Sequence, residues 1–404
     1  MDIALKDKKG TTSTNIFKTM SLSEAALFFL TLLLWIDRVL LTYIRAFAMS
    51  LPIIGRFVDY IIAAVYAVLI VCSAPKILKK MRMADLLFAL ATVVICALNY
   101  IFFPSNAEIL DEYLPNFLLL TFPLYFIGLS LDFEKVYPWL YRLSLITIPA
   151  FTIYKLFVSA PMTDVQSMYE GDMWSAYNML PHVCVVAIAA LKKPGFINVA
   201  LTATGVIMIS LLGSRGPFIC AVLSIVTYLV FFKKYKRPVL SYFAIALVAI
   251  IVILGLNDIM QFLYDLAEDA GLSVRIFEKF FSGKLSDSSD RDIIAVELYE
   301  NMSTFGHGLL SDRLAVGIYA HNLAVELWYS FGIIFGTVIL GGIIVILLRA
   351  ALVTRRIEKS AMLFIPLFFA GFVKLFLSGT ILNEIYFFLL IGISMNFIRE
   401  SKTR

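Results

Sequence analysis

The chain has 404 residues, of which 61% are hydrophobic and only 16% are charged, and its formal net charge is +5. Soluble domains carry about 25% charged residues, so a soluble domain of this length could not bury this much apolar surface. Lipid is therefore the expected solvent. The four cysteines lie in apolar runs without a Cys-x-x-Cys spacing, which gives no support to a disulfide framework or a zinc site.

Apolar runs close to the roughly 20 residues that a bilayer requires recur along the chain. No cleavable signal peptide is visible, so the first run is expected to be a retained span. The fold class is predicted to be an all-α polytopic membrane protein with a single domain over residues 1–404 and about twelve transmembrane helices. The predicted spans are 22–44, 57–74, 84–103, 116–132, 138–158, 174–191, 195–212, 216–232, 238–256, 320–349, 361–378 and 380–398.

The distribution of Lys and Arg predicts the orientation, because cytoplasmic loops are enriched in these residues. The basic clusters begin at Lys76, Lys192, Lys233 and Arg355. With twelve spans, all four clusters lie on the same side as both termini, which we expect to be the cytoplasm. Residues 104–115 and 159–173, on the opposite side, contain acidic residues and no Lys or Arg. We expect a multi-pass protein of the bacterial inner membrane.

One predicted external loop, residues 257–318, is too long to be structureless in a compact protein. Ile259, Phe262, Leu263 and Leu266 share one face at helical spacing, which predicts an amphipathic helix at its start. A second short helix is expected over residues 293–300. We interpret the loop as a small, partly helical cap on the outer surface, with its apolar face partly on lipid.

The first candidate site residue is Arg215, in a very short external turn between two apolar spans. The turn is Gly213-Ser214-Arg215-Gly216-Pro217. Glycine lets the chain reverse and lets a ligand approach the backbone. The planar guanidinium suits bidentate binding of phosphate oxygens. The alternative is an interfacial arginine whose side chain snorkels to the membrane surface.

Further candidates lie within the long loop and just after it. Arg291 ends a Ser/Asp-rich stretch, although that stretch could also be a helix-capping cluster. His321 and Asn322 open the tenth predicted span, and Glu326 follows about one turn later. A histidine there could act as a base or donate a hydrogen bond to an anion, or it could simply be an interfacial residue.

Ionisable groups within spans are costly, so Arg38 and Lys374 are candidate cations of a polar cavity. The three histidines, His182, His307 and His321, all fall in the predicted external half. The sequence contains no P-loop, Rossmann or HExxH motif in a plausible context, and no metal-ligand spacing. We therefore expect neither a cofactor nor a metal ion.

These segments together resemble the O-antigen polymerase and O-antigen ligase superfamily. The resemblance covers residues 195–398, whereas the first half matches only as a run of membrane helices. The order of the segments, the long external loop and the span count match the family layout. The matching segments are the turn at 213–217, the stretch ending in Arg291 with Gly306-His307-Gly308 after it, and Ala320-His321-Asn322 with Glu326 and the run 332–336.

Membership would imply a glycosyltransferase whose donor is a glycan on undecaprenyl diphosphate. A polymerase transfers the growing glycan to a lipid-linked repeat unit, giving O-antigen, capsule or exopolysaccharide; a ligase transfers it to lipid A–core. We favour the polymerase.

In such an enzyme, Arg215 and Arg291 would clamp the diphosphate. His321 would activate the acceptor hydroxyl or orient a phosphate, and all three residues would lie on the periplasmic side. The expected substrate-binding residues are Ser214, Asn322, Glu326, His307, Arg38 and Lys374.

The expected partners are the undecaprenyl-diphosphate-linked glycan, the lipid bilayer, a chain-length regulator and a flippase, and no nucleic acid. A secondary transporter or flippase is the alternative from another class, because twelve spans suit many transporters. Transporters commonly show half-to-half repeats and paired broken helices, and neither is visible in the sequence. A scaffold protein is a third reading, but it leaves the Arg215 turn without a purpose.

Overall fold

A computed structural model describes residues 20–42, 55–156, 165–212, 214–237, 240, 254–269, 274–282 and 290–402. Some features predicted from the sequence lie outside the described residues. These are Gly213, the Ser/Asp-rich residues 286–289, most of the ninth predicted span (238–256) and the acidic segment 159–164.

Every regular element among the described residues is a helix, as the composition predicted. In the first half the helices are α1 (Leu22–Ile36), α2 (Gly55–Lys80), α3 (Met83–Phe102), α4 (Ala107–Asn116), α5 (Pro123–Ser130), α6 (Phe133–Tyr154), α7 (Val165–Lys192) and α8 (Phe196–Leu211). In the second half they are α9 (Arg215–Thr227), α10 (Leu256–Asp269), α11 (Arg275–Phe281), α12 (Asp290–Glu300), α13 (Ser311–Val316), α14 (Leu323–Arg356), α15 (Glu358–Leu367) and α16 (Ile385–Ser401).

Six helical segments in the described part of the chain are long and apolar enough to cross a membrane. They are Tyr60–Lys80, Met83–Phe102, Pro104–Ser130, Met173–Lys192, Arg215–Phe232 and Leu323–Arg356. Two shorter apolar helices are Phe196–Leu211 and Ser360–Phe376. The all-α membrane fold is thus confirmed, whereas the count of twelve spans stays a prediction.

The acidic segment 104–115, expected to be a loop, is helical. A 3-10 turn (Pro104–Asn106) leads into α4, and a π-helical turn (Phe117–Thr121) joins α4 to α5. Proline suits the first turn of a helix, where its missing N–H needs no partner. Pro115 lies inside α4, where its missing N–H interrupts the ladder, and the π-helical turn follows directly. The predicted span therefore starts about three turns earlier.

Burial separates a central helix from peripheral ones. In α7, 83% of the most apolar 18-residue stretch is buried, against 6% in α2 and 17% in α3. Apolar side chains such as Val71 and Leu87 are exposed on α2 and α3. Exposed apolar surface on this scale is stable only in lipid or against a partner, so these helices fit the rim of a membrane bundle.

Two glycines bring α5 and α16 into close backbone contact in the core. A Cβ on Gly128 would lie 2.9 Å from the Ile393 backbone N, and a Cβ on Gly392 would lie 2.9 Å from the Leu129 backbone N. Real Cβ atoms do not approach so closely, so only glycine permits this packing. Small residues at helix contacts are typical of membrane proteins, where backbones must approach to gain dispersion energy.

The long predicted loop is partly helical, with α10, α11, α12 and α13 along it. The predicted apolar face of α10 is divided between two environments. Leu263 is buried in a core cluster with Val183 and Phe277, while Ile259 and Phe262 are exposed. The apolar spacing therefore located the helix correctly, but only the structure shows which side chains meet the protein.

The helix α14 bends at Gly332, which has a φ of +80°. The backbone groups around the bend pair with the segment that follows α12. His307 N–H donates to the Tyr329 carbonyl at 2.9 Å, Gly308 N–H to Ser330 at 3.0 Å and Ile333 N–H to Ser303 at 3.3 Å. A helix bend exposes backbone groups that need partners, and this segment supplies them.

A buried ion pair joins the start of α3 to the end of α16. Arg399 donates to both oxygens of Asp85, at 2.6 and 2.8 Å, and the Tyr125 hydroxyl donates to the same carboxylate at 2.6 Å. The Asp85 side chain is 1% exposed and that of Arg399 is 12% exposed. Removing one partner would leave a buried charge without compensation.

We predict that Arg399→Gln lowers the free energy of unfolding by about 3–5 kcal/mol, because the Asp85 carboxylate would stay buried without its cation. Thermal unfolding in detergent, followed by circular dichroism, measures the effect. Lys135→Gln is the matched control, since the Lys135–Asp132 pair is exposed and exposed pairs contribute at most about 1 kcal/mol. Equal melting temperatures for the two variants would contradict the prediction.

Candidate functional site

Arg215 is the first residue of α9, and Ser214 occupies the capping position with extended backbone. Ser214 is buried and Arg215 is half-buried. A cation at a helix N-terminus gains nothing from the helix dipole, which favours negative charge there. The dipole and the arginine therefore both attract an anion to this turn, which makes it the starting point of the candidate site.

The turn packs tightly against α7 and the segment before α16. A Cβ on Gly216 would overlap the Tyr177 hydroxyl and would lie 3.6 Å from the Leu377 Cβ. Only glycine leaves room for the tyrosine at this position. Gly216 thus fixes the distance between the Arg215 turn, the central helix α7 and the segment around Leu377.

Arg291 reaches the same segment from α12. Its Nη1 donates to the Leu377 carbonyl oxygen at 2.7 Å, and its Nη2 lies 3.5 Å from the Met173 sulfur. Both of these partners are neutral, so they hold the guanidinium in place without cancelling its charge. Leu377 is a neighbour of both Gly216 and Arg291, so the structure brings the two predicted clamp segments together.

His321 lies just before α14 in the left-handed region, with a φ of +55°. This backbone conformation is uncommon for a residue other than glycine and costs on the order of 1–3 kcal/mol. The ring packs against Tyr319, with 4.0 Å between ring centroids. Nδ1 of His321 is buried and has no hydrogen-bond partner among the described residues.

Burial lowers the pKa of His321 to about 4, and the positive charge of Arg291 lowers it further in the same direction. The imidazole is therefore neutral at pH 7, with one nitrogen able to donate and the other able to accept a hydrogen bond. Because the charge of Arg291 contributes to the lowered pKa of His321, the two side chains lie close enough to interact electrostatically. A neutral imidazole beside an arginine can accept a proton or orient an anionic oxygen.

Asn322 and Glu326 make contacts that organise the backbone around the site. The Asn322 side chain caps α14 by accepting from the Ala324 N–H at 2.9 Å. The buried Glu326 carboxylate accepts from the Thr380 hydroxyl at 2.5 Å and from the Ile381 N–H. These contacts fix the start of α14 and the segment between the last two apolar helices; a role in substrate binding stays a prediction for both residues.

The predicted cavity cations lie at the edge of this region. Lys374 forms an ion pair with Glu384, and its Nζ lies 5.2 Å from the centre of the Tyr177 ring. Arg38 lies in a π-helical turn after α1 and is within electrostatic range of the Tyr386 hydroxyl. Because Glu384 balances the charge of Lys374, this lysine is less available to a ligand than a cation without such a partner.

His307 lies at the bend of α14. Its ring stacks on Tyr329, with 4.6 Å between centroids, and its Nε2 lies 2.9 Å from the Asn301 carbonyl oxygen. None of its described contacts is with Arg215, Arg291 or His321. Its position supports the pairing of the Gly332 bend with the preceding segment, and its predicted role in binding substrate stays untested.

Sequence reasoning missed Asp312 and Arg313, which lie between α12 and His321. Asp312 is completely buried, and its Oδ2 accepts from the Ala320 N–H at 2.8 Å. Burial raises the pKa of Asp312, while Arg313, with Nη1 at 3.6 Å from Asp312 Oδ1, opposes that effect. The sequence feature that could have indicated their burial is the position of this adjacent Asp–Arg pair between Leu310 and Leu314, within a loop that was expected to lie on the outer surface.

In the described part of the chain, no group of three or more His, Cys, Asp or Glu side chains is placed to hold a metal ion.

Comparisons with known proteins do not assign the chain to a family: no family model, no curated protein and no solved structure matches it. The function must therefore be inferred from the site geometry and from the resemblance of its sequence motifs.

We predict that Arg291→Gln raises the pKa of His321 above about 4, because removing a nearby positive charge makes protonation of the imidazole easier. Nuclear magnetic resonance of the protein labelled with ¹⁵N-histidine measures the titration, and the His321→Asn spectrum assigns the signal. Arg355→Gln, which removes an exposed arginine at the far end of α14, is the control. An identical titration in Arg291→Gln and the parent protein would contradict the assignment.

Proposed function

We propose that this protein is a membrane polysaccharide polymerase that transfers a growing glycan from undecaprenyl diphosphate to a lipid-linked repeat unit. The observation that carries the proposal is the meeting of two arginine segments at Leu377 beside a buried, neutral histidine. Two arginines suit the diphosphate of such a donor, and a neutral imidazole suits activation of an acceptor hydroxyl.

The reaction assigns a separate task to each residue. The acceptor hydroxyl oxygen forms a bond to the anomeric carbon of the donor glycan, and the bond from that carbon to the diphosphate oxygen breaks. The electron pair of the broken bond goes to the leaving diphosphate, whose growing charge Arg215 and Arg291 stabilise. The hydroxyl proton passes to the neutral imidazole of His321. This scheme requires no metal ion, because the arginines neutralise the leaving group.

The site also suits a substrate with a lipid tail and a polar headgroup. Arg215 opens one membrane-crossing segment (Arg215–Phe232), and His321 lies two residues before another (Leu323–Arg356). The candidate site therefore lies where two apolar helices begin, at one edge of the lipid-facing region. A diphosphate bound there would keep its polar end near water while its polyprenyl chain extends into lipid.

We further propose twelve spans in a bacterial inner membrane, with both termini in the cytoplasm and the site on the periplasmic side. The positions of the basic clusters support this orientation, because cytoplasmic loops are enriched in Lys and Arg. On this topology the segment from α10 to α13 lies on the periplasmic side. The donor glycan would reach the site after a flippase has exposed it at the outer leaflet.

We expect the purified protein in liposomes to convert undecaprenyl-diphosphate-linked repeat units into a ladder of longer lipid-linked glycans on a gel. Arg215→Ala and Arg291→Ala should each lower the rate by about 10²–10³-fold, because removing one stabilising group of a transition-state charge costs about this much. Arg215→Lys should lose most of the activity as well, because lysine cannot bind oxygens bidentately. Arg355→Ala is the matched control.

Three outcomes separate the candidate functions. A ladder that the two alanine variants lose supports the polymerase and its clamp. Transfer that occurs only after lipid A–core is added identifies a ligase. Correctly inserted variants that retain full synthesis, or a parent protein that transfers glycan to neither acceptor, would overturn the proposal and favour transport.

A labelling experiment tests the orientation. Phe305→Cys and Lys193→Cys both place a thiol at an exposed position, whereas three of the native cysteines are buried and Cys72 is half-buried. We expect a membrane-impermeant maleimide to label Phe305→Cys in intact spheroplasts and Lys193→Cys only after permeabilisation. The parent protein gives the background from native thiols. The reverse pattern would place the site on the cytoplasmic side.

A further inference from the structure

We propose that Arg313 is a positioning residue of the site, which holds the Tyr319–His321 ring pair in place without contacting substrate. Its consequence for catalysis rests on the proposed function, whereas its effect on His321 does not. The proposal stands on the contacts by which Asp312 and Arg313 hold Tyr319 and Ala320, the two residues immediately before His321.

The first observation is the burial of a charged dipeptide. The Arg313 side chain is 8% exposed and the Asp312 side chain is fully buried. Their closest charged atoms are 3.6 Å apart, and Nη1 of Arg313 has no hydrogen-bond partner among the described residues. Burying an ion pair is costly when its hydrogen bonds are incomplete, so packing around the guanidinium must offset part of that cost.

Two aromatic rings supply that packing. The Arg313 guanidinium carbon lies 4.4 Å from the centre of the Tyr113 ring and 5.8 Å from the centre of the Tyr319 ring. Both distances are within the range of a cation–π interaction, which is strongest where water is excluded. Tyr113 belongs to α4, so Arg313 joins that helix to the segment that carries Tyr319 and His321.

The same dipeptide contacts both of the residues that immediately precede His321. Arg313 packs on Tyr319, and Tyr319 packs on His321 with 4.0 Å between ring centroids. Asp312 accepts a hydrogen bond from the N–H of Ala320, the residue immediately before His321. A left-handed backbone at a histidine persists only when its surroundings enforce it, and these contacts provide that enforcement.

The Tyr319 hydroxyl links the Arg313–Tyr319 contact to the segment that binds Arg291. It lies 3.4 Å from the Ser378 hydroxyl, one residue after the Leu377 carbonyl that accepts from Arg291.

The charged groups that surround this region come from three elements: Arg291 from α12, Asp312 and Arg313 from α13, and Glu326 from α14. Arg291 lowers the pKa of His321 directly, whereas we expect Arg313 to act through the Tyr319 ring.

The test measures the His321 ring itself, in the full chain labelled with ¹⁵N-histidine and placed in lipid nanodiscs. With only three histidines in the sequence, the spectrum contains few signals, and His321→Asn assigns the relevant one. In the parent protein, His321 should titrate near pH 4. In Arg313→Gln the ring pair should loosen and admit water, so the pKa should rise toward the ordinary value of about 6.5.

Graded variants separate positioning from general damage to the fold. Tyr319→Leu removes the ring and should raise the pKa of His321 as Arg313→Gln does, whereas Tyr319→Phe keeps the ring and should stay closer to the parent protein. Arg313→Lys keeps the charge and should give an intermediate result. Arg355→Gln is the control for removal of an arginine. If Arg313→Gln fails to fold, Arg313→Lys and Tyr319→Leu provide the same comparison.

The polymerisation assay then measures the consequence for catalysis. Arg313→Gln should lower kcat by about 10²-fold, because a misplacement of about 1 Å in a catalytic group costs about this much. KM for the lipid-linked donor should change by less than about twofold, because Arg215 and Arg291 still bind the diphosphate.

An unchanged titration of His321 in both Arg313→Gln and Tyr319→Leu would overturn the positioning role. A parent protein that shows the expected titration but makes no polymer would overturn the proposed function alone.

Discussion

The hydrocarbon core of a membrane offers no water to backbone N–H and C=O groups, so the protein must pair them internally. This constraint explains why the described elements are helices and why the bend at Gly332 has compensating partners. At Gly332 the backbone groups around the bend pair with residues 303–308. The candidate site lies where the constraint relaxes, at the starts of α9 and α14, because helix ends leave backbone groups free for other partners.

The same solvent makes unbalanced charge costly, and three buried carboxylates of the described chain each have a partner of opposite sign. Lys374 pairs with Glu384, Arg399 with Asp85, and Arg313 with Asp312. Arg291 differs, because its described contacts are a carbonyl oxygen and a sulfur. These two neutral contacts do not cancel the positive charge of Arg291, which is consistent with the anion-binding role proposed for it.

The His321 region shows how the fold sets the chemistry of one side chain. Burial and Arg291 keep the imidazole neutral, while the strained backbone and the Tyr319 ring determine where it lies. Strained backbone is common at functional sites because the surrounding packing, and not local preference, fixes the geometry. In the proposed reaction, the neutral imidazole would not compete with the arginines for the diphosphate and would be able to accept a proton.

The sequence alone determined the lipid solvent and the helical class, because hydropathy and charge bias are local properties of the chain. Its short motifs also proposed Arg215, Arg291 and His321 as the central site residues, and their roles stay predictions. It also located α10 by apolar spacing. Only the tertiary structure decided that residues 104–116 are helical, that Glu384 balances Lys374, and that Glu326 meets Thr380, 54 residues away. Arg313 escaped sequence reasoning because its neighbours Tyr113 and Tyr319 are distant or unremarkable in the sequence. Contacts between segments that are distant in the sequence decide which buried charges pair and which stay available to a ligand. Local sequence patterns cannot predict those contacts.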